Sequence, residues 1–541
     1  MRKPYLTSAI SAFALVLTAC GGGGDSNDFG GTPAPSPTPT PTPVAVDGNG
    51  GAYTPPAQES LSVTDVQTII AQAVGEATAR NLPSVIAVTD RVGNVLAVFE
   101  MNGARPTATT SARTALGAIN NPLVDVQGVV VPAAAGAIAK AVTGAYLSSA
   151  GNAFSSRTAS QIVQEHFPAA PTTAGLESGP LFGVQFSQLP CSDFNQRFGN
   201  IGSAALIGPK RSPLGLSADP GGLPLYKNGV VVGAIGVMGD GDYGFDSNTL
   251  DIDDDDEEAI ALAGIQGFAP PAAVAANRIY VDGTQLRFSD AVVSDLSPLQ
   301  NNFAAINGTA GNLIAVTGYA TNTIIAGTAY GTEASGIRAS TVAEFKNRDA
   351  FVMTDGAGTN RFAIRAATDA ADVTTPLTAA ETRAILEEAF IVMSRARAQI
   401  RQPLDSRAQV SISVVDTHGE ILGIVRSPDA PIFGTDVSLQ KARTASFFSN
   451  STAASDLLGN PDGDVAAFVG RVRTFLNDPN ALTGTVAFAD RSGGNLSRPY
   501  FPDGELGRPN GPLSRPIEDF NPFATGLQAS LIFPNLGQHL A

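Results

Sequence analysis

The sequence predicts an α/β chain of the α+β kind, in which a unit of helix, antiparallel hairpin and second helix occurs twice. Three observations predict it. "LSVTDVQTIIAQAVGEA" from Leu61 and "LTAAETRAILEEAFIVM" from Leu377 share apolar spacing and start signals. "SVIAVTDRVGNVLAVFEMNGA" (84–104) and "VSISVVDTHGEILGIVRSPDA" (410–430) share two β-branched runs around D-x-x-G. Lys140-Ala141-x-Thr143 and Lys441-Ala442-x-Thr444 follow in the same order. The 541-residue chain also exceeds the roughly 250–300 residues at which a single core stops growing.

Residues 1–20 read as an export address. Arg2 and Lys3 precede "SAISAFALVL", an apolar stretch too short to span a bilayer. Leu17-Thr18-Ala19-Cys20 then resembles a bacterial lipoprotein signal, in which the cysteine is lipidated and becomes the new N-terminus. Gly21, not aspartate, follows, so an outer-membrane anchor on the periplasmic or surface face is expected. Residues 21–59 read as a linker: "GGGGDSNDFGG" is flexible, and "TPAPSPTPTPTPVA" favours an extended polyproline II rod. With Cys20 lipidated, Cys191 has no partner in the chain, and burial as a small apolar side chain is the expectation.

The first unit spans 60–268. Val66, Ile69, Ile70 and Ala73 fall on one helical face, and Ser62 with Asp65 forms an acidic capping box. Gly93 sits where a tight turn needs positive φ. A helix is expected from Ala139, and Asn228-Gly229 between apolar runs signals a hairpin. Residues 269–375 read as a β-rich bridge with runs such as "NRIYVDGTQLRF" and "NLIAVTGYA". The second unit spans 376–541. Ile385, Leu386 and Ala389 define its first helical face, Thr378 with Glu381 its capping box, and Gly419 its turn. A helix is expected from Gln440. Its counterpart of the late hairpin is only "PFATGLQASLIF" (522–533).

Helix, "VxDxxGxLL", "KAxTA", "GGLPxxxxGxVVGAIGVxG" and an acidic run into a helix: this order resembles the GlcG/HbpS-like haem-binding family. The resemblance covers about 61–268 fully and 377–533 in part. It implies tandem profilin-like domains, each an antiparallel sheet of about five strands with packed helices. It implies haem as cofactor, with haem capture, storage, protection or degradation as the role. Family domains commonly self-associate, so an internal pseudo-dimer or a homo-oligomer is implied. A small-molecule enzyme or accessory subunit of the same fold, and a non-catalytic surface scaffold, are the other two readings.

Candidate chemistry is sparse. The net charge of −16 argues against nucleic acid, which needs a basic face. No HExxH, GxSxG or Walker pattern occurs, and only three histidines exist. Lys140, Thr143, Lys441, Arg443 and Thr444 are the candidate ligand-binding residues: lysine or arginine to meet a haem carboxylate, threonine to hydrogen-bond a ligand. Equally, each lysine stem could lie along apolar surface and each threonine could bond back to its own helix. His418 and His166 are the candidate iron ligands, since imidazole suits iron. His418 matches Val92 in the first unit, which favours an ordinary turn residue. The run "DIDDDDEEAIALAG" (251–264) lacks EF-hand spacing and suits a helix start, where carboxylates complement the dipole.

Overall fold

The computed structural model describes residues 53–111, 113–114, 117–118, 128–165, 167–169, 178–190, 207–404, 406–516 and 526–532. The lipoprotein signal with Cys20, nearly all of the linker, His166, Cys191 and His539 lie outside the described residues. Among the described residues no helix is long and apolar enough to cross a membrane.

In the first copy, α1 (Val63–Ala79) opens on the expected box. Ser62 accepts from the Asp65 N–H, and Asp65 accepts from the Ser62 N–H. Val66, Ile69, Ile70 and Ala73 are fully buried. Each large apolar side chain buried this way contributes about 1.5–3 kcal/mol. β1 (Val85–Asp90) and β2 (Val95–Met101) pair antiparallel around Gly93, whose φ is +82°. The next helix, α2 (Ala133–Leu147), begins upstream of the expected Ala139 because an alanine-rich run extends it backwards. α3 (Ser156–Ile162) follows. β3 (Gly222–Lys227) and β4 (Val230–Met238) form the expected hairpin, with positive φ at both Asn228 and Gly229. α4 (Asp256–Gly264) starts inside the acidic run, with Asp255 as its cap.

These strands and β5 (Gly311–Leu313) form an antiparallel sheet of order β5-β2-β1-β4-β3. Alternation along the strands divides the core. Ile86, Val88, Ile235 and Val237 face α1 and α4, whereas Val85, Ala87, Ala234 and Met238 face α2. α2 lies so close to β4 that a Cβ on Gly236 would collide with helix backbone at Ala137 and Ala141.

The bridge serves both copies in the same way. β5 edges the first sheet. β6 (Ile337–Ala339) and β7 (Phe351–Met353) join the second, beside the hairpin strands β8 (Ser411–Val415) and β9 (Ile421–Arg426), in the order β6-β7-β9-β8. After each edge element a strap crosses the hairpin. Ile325 donates to Leu96 O, Gly327 to Leu61 O, and Thr328 to Asp90 through both N–H (3.0 Å) and hydroxyl (2.8 Å). Arg365 donates to Leu422 O, Ala367 to Leu377 O, and Thr368 to Asp416 through N–H (2.9 Å) and hydroxyl (2.7 Å). The two straps keep the same spacing, so the bridge is itself duplicated. The recurring aspartates also accept N–H groups of their own turns, Val92 and Asn94 or His418 and Glu420. That is the physical content of D-x-x-G.

The second copy opens with α5 (Ala379–Arg395), whose Thr378–Glu381 box forms as expected. α6 (Phe433–Phe448) carries Lys441 and again starts upstream of the expected point. The chain then departs from the first copy. α7 (Ala453–Leu458), α8 (Gly463–Leu476) and α9 (Asp490–Leu496) build a separate helical core around Leu457, Phe468, Val472 and Leu513. Leu527 belongs to that core, and residues 527–532 are helical. The expected late hairpin counterpart is therefore replaced by helix where it is described. No described element stands where β3, β4 and α4 stand in the first copy. Ile385, expected on a buried face, is consequently 44% exposed, and Val392 67%.

The copies meet along a buried seam. Arg91 pairs with Asp429 at 2.8 Å, Arg401 donates to the Ser149 hydroxyl at 2.7 Å, and Gln402 N–H donates to Gly151 O at 2.8 Å. Gln188 N–H donates to Asp436 at 3.1 Å. Ile432 packs into the first copy's core.

Candidate ligand groove and the paired lysines

The two KAxT lysines have opposite surroundings. Lys140 is 0% exposed. Its ammonium meets Asp219 at 2.6 Å and also pairs with Glu257. Burial opposes its charge, but the two carboxylates outweigh burial, so its pKa lies above the ordinary lysine value. Burial pushes the Asp219 carboxyl up to about 8 against the pull of Lys140, and raises Glu257 as well. Asp219 leads into β3 and Glu257 lies on α4, so the late part of the unit brings this lysine its partners. Thr143 donates to Ala139 O at 2.8 Å and accepts from Ser217 N–H at 2.6 Å. In the first copy both candidates are thus engaged by protein groups. The bland reading of Thr143, a bond back to its own helix, is the geometry observed.

Among the described residues of the second copy no segment closes the pocket. Where β4 covers the outer edge of β1, β8 ends the sheet. A groove of about 400 Å³ runs there, between β8 and α6. Its lining includes Val410, Ile412, Pro431, Phe433 and Val437 with Gln409, Ser411, Ser413, Ser438 and Lys441. The volume falls within the range of roughly 300–1,000 Å³ usual for small-molecule clefts. Ser413 and Ser438 share a hydrogen bond of 2.7 Å across the floor, where the first copy has Ala87 packed under α2. Lys441 is half-buried, with Asp490 of α9 within electrostatic range. Burial raises the Asp490 carboxyl, and Lys441 opposes that rise.

The other candidates lie elsewhere. Arg443 Nε donates to Gly419 O at 2.8 Å and so braces the hairpin turn. The Thr444 methyl faces α9 at Gly493. His418 Nε2 lies 2.8 Å from Asp372 on the exposed side of the turn, and this hydrogen bond raises its pKa. It does not line the groove. The acidic run is organised by Arg157, whose guanidinium meets Asp246, Asp253, Asp255, Glu258 and Asp290 at 2.6–3.5 Å. Asp246, Asp251 and Asp253 have metal-like spacing, but this arginine already supplies the positive charge. Gln409, Ser411 and Arg426 were missed by sequence reasoning. The available signal was the serine pair in "VSISVV", facing the position that Val85 and Ala87 occupy in the first copy.

The family described as "Haem degrading protein HbpS-like" matches residues 61–116 and 385–491. One HbpS-like region thus lies in each copy. Among solved structures, a Klebsiella pneumoniae protein, ORFY of family DUF336, matches with 18% identity and a TM-score of 0.22, covering 40% of this chain and 96% of its own. The complex of PduOC with heme matches with 15% identity and a TM-score of 0.23, covering 39% of this chain and 96% of its own. No curated protein matches the chain.

Proposed function

We propose that this chain is an exported, lipid-anchored protein that binds haem non-covalently, with its site in the groove of the second copy. The observation that carries the location is the contrast between the lysines: Lys140 is enclosed with two carboxylates, whereas Lys441 lines an open apolar cleft. The family's printed description supports the ligand. The lining also suits it in part. Val410, Ile412, Pro431, Phe433 and Val437 can take an apolar macrocycle, and Lys441 offers a cation to a carboxylate. No histidine, cysteine, methionine or tyrosine lines the groove, so the residue types that ordinarily hold haem iron are lacking there. The groove therefore fits the porphyrin and its carboxylates and offers no usual axial ligand. Bound haem would bring iron redox chemistry. What these residues supply is binding and shielding from water.

Hemin titration of the full chain tests this. One saturable Soret shift per chain is expected. Ala442→Trp, which fills the groove, abolishes it. Lys441→Ala weakens it by no more than about fivefold, the worth of a partly exposed ion pair (~1 kcal/mol). No Soret shift, or two equivalents with the groove blocked, defeats the proposal. Ascorbate under oxygen then reads breakdown against simple capture. For the anchor, Cys20→Ser is expected to move the protein from the detergent phase to the aqueous phase; unchanged partitioning rules out lipidation at Cys20.

A further inference from the structure

The end of the groove away from Lys441 carries a buried donor that the protein leaves unanswered. Gln409 lines the groove and is only 5% exposed. Its Oε1 accepts the Asp429 N–H at 3.0 Å, which fixes the amide, and its Nε2 has no hydrogen-bond partner. An unsatisfied buried donor costs about 1–3 kcal/mol, so a native structure that keeps one calls for an explanation. Beside it, Ser411 Oγ accepts from Arg426 Nη1 at 2.7 Å and keeps only a long contact of 3.5 Å to the Thr435 hydroxyl, so its own proton is available to a stronger acceptor.

Arg426 is fully buried. Its Nη1 also donates to the Thr435 hydroxyl, its Nη2 donates to Ala430 O at 2.8 Å, and the Tyr330 hydroxyl hydrogen-bonds the guanidinium. Around it, Arg91 and Arg401 share a single carboxylate, Asp429. Arg426 lies within electrostatic range of the same carboxylate without pairing with it. Charge excluded from water in this way is costly unless it is balanced. The N-terminus of α6 at Phe433 adds its dipole at the same end.

We infer that this inner end is a carboxylate-binding subsite, built from Gln409 Nε2, the Ser411 hydroxyl and the charge of Arg426. It would receive the carboxylate of an apolar ligand whose body lies along Val410, Ile412 and Val437. Lys441 is the weaker contact. It is half-buried and shares its field with Asp490, whereas the inner donors act in a drier environment. The inference rests on the proposed function only for the identity of that body.

The test uses the full chain with three probes: hemin, hemin dimethyl ester and dodecanoate. Hemin is expected to bind about tenfold more tightly than its ester, since charge-assisted hydrogen bonds are the stronger kind. Gln409→Glu keeps the acceptor for Asp429 N–H and removes the donor, and it should erase that preference. Should this variant fail to fold by circular dichroism, Ser411→Ala carries the test, with a loss of about threefold for hemin and none for the ester. Equal binding of acid and ester overturns the subsite, as does a variant that weakens both alike. Dodecanoate bound with the same dependence on Gln409, and hemin not bound, upholds the subsite and removes the haem reading. Absence of binding by all three probes overturns the subsite.

Discussion

Replacing Lys140 by methionine keeps the apolar stem of the side chain and removes its charge. Asp219 and Glu257 are then left together in the interior of the first copy without their cation. Breaking a buried ion pair from one side costs about 3–5 kcal/mol. The lower end applies here, because both carboxylates are already displaced toward their protonated forms, Asp219 to about 8. A loss of about 3 kcal/mol lowers the melting temperature by roughly 6–12 °C for a domain of this size. Scanning calorimetry of the full chain measures the shift, and hydrogen exchange in α2 and β4 peptides assigns it to the first copy. Lys441→Met, at the matching position, is the control. Its carboxylate neighbour, Asp490, is only half-buried, so a change within about 0.5 kcal/mol is expected. The reasoning fails if Lys140→Met melts within a degree of the parent, or if Lys441→Met is equally damaging.

Two further outcomes follow from the same geometry. Asp219 holds its proton far more tightly in the folded state than at its ordinary 3.8, so its contribution is complete below about pH 4 and is lost as pH rises through about 8. Urea midpoints should therefore fall across pH 4–8 in the parent relative to Asp219→Asn; a parallel pair of profiles contradicts this. Gly93 and Gly419 both sit at positive φ, where a Cβ costs about 1–2 kcal/mol. A Cβ at Gly93 also runs into the Tyr146 hydroxyl, held by Val92 O at 2.9 Å and Lys210 O at 2.6 Å, whereas at Gly419 it meets only Arg443 at 3.5 Å. Gly93→Ala should cost roughly 3 kcal/mol and Gly419→Ala about 1. Equal losses by chemical denaturation would refute the packing argument.

Much of the fold was legible because its signals are local. The capping boxes at Ser62 and Thr378, the turn glycines and Asn228-Gly229 each depend on a few adjacent residues. Helix starts were less legible, since the alanines before Ala139 propagate a helix but do not mark where it begins. The straps could not be seen. Thr328 reaches Asp90, and Thr368 reaches Asp416, across long sequence separations, with no periodicity to announce the contact. Ile385 was misplaced for a related reason. Its spacing is that of a buried face, and it is exposed because the helix that covers Ile69 in the first copy has no counterpart among the described residues.

The same absence explains why the site reading changed. In sequence, the second copy has only "PFATGLQASLIF" where the first has the "GGLP…GAIGV" block. A strand, however, is also a plug. In the first copy β4 fills the space under α2 closely enough to require glycine at 236, and the segments flanking the hairpin deliver Asp219 and Glu257 to Lys140. Remove that hairpin and the helix after it, and three things happen together. The lysine loses its carboxylates, the strand edge loses its partner, and the apolar space between strand and helix opens. Sequence recurrence pointed to KAxT as the shared feature, whereas the ligand-accessible form of that feature depends on what only one copy has kept. In this duplicated fold the position that recurs marks the proposed site, and the element without a described counterpart leaves the groove open in the second copy alone.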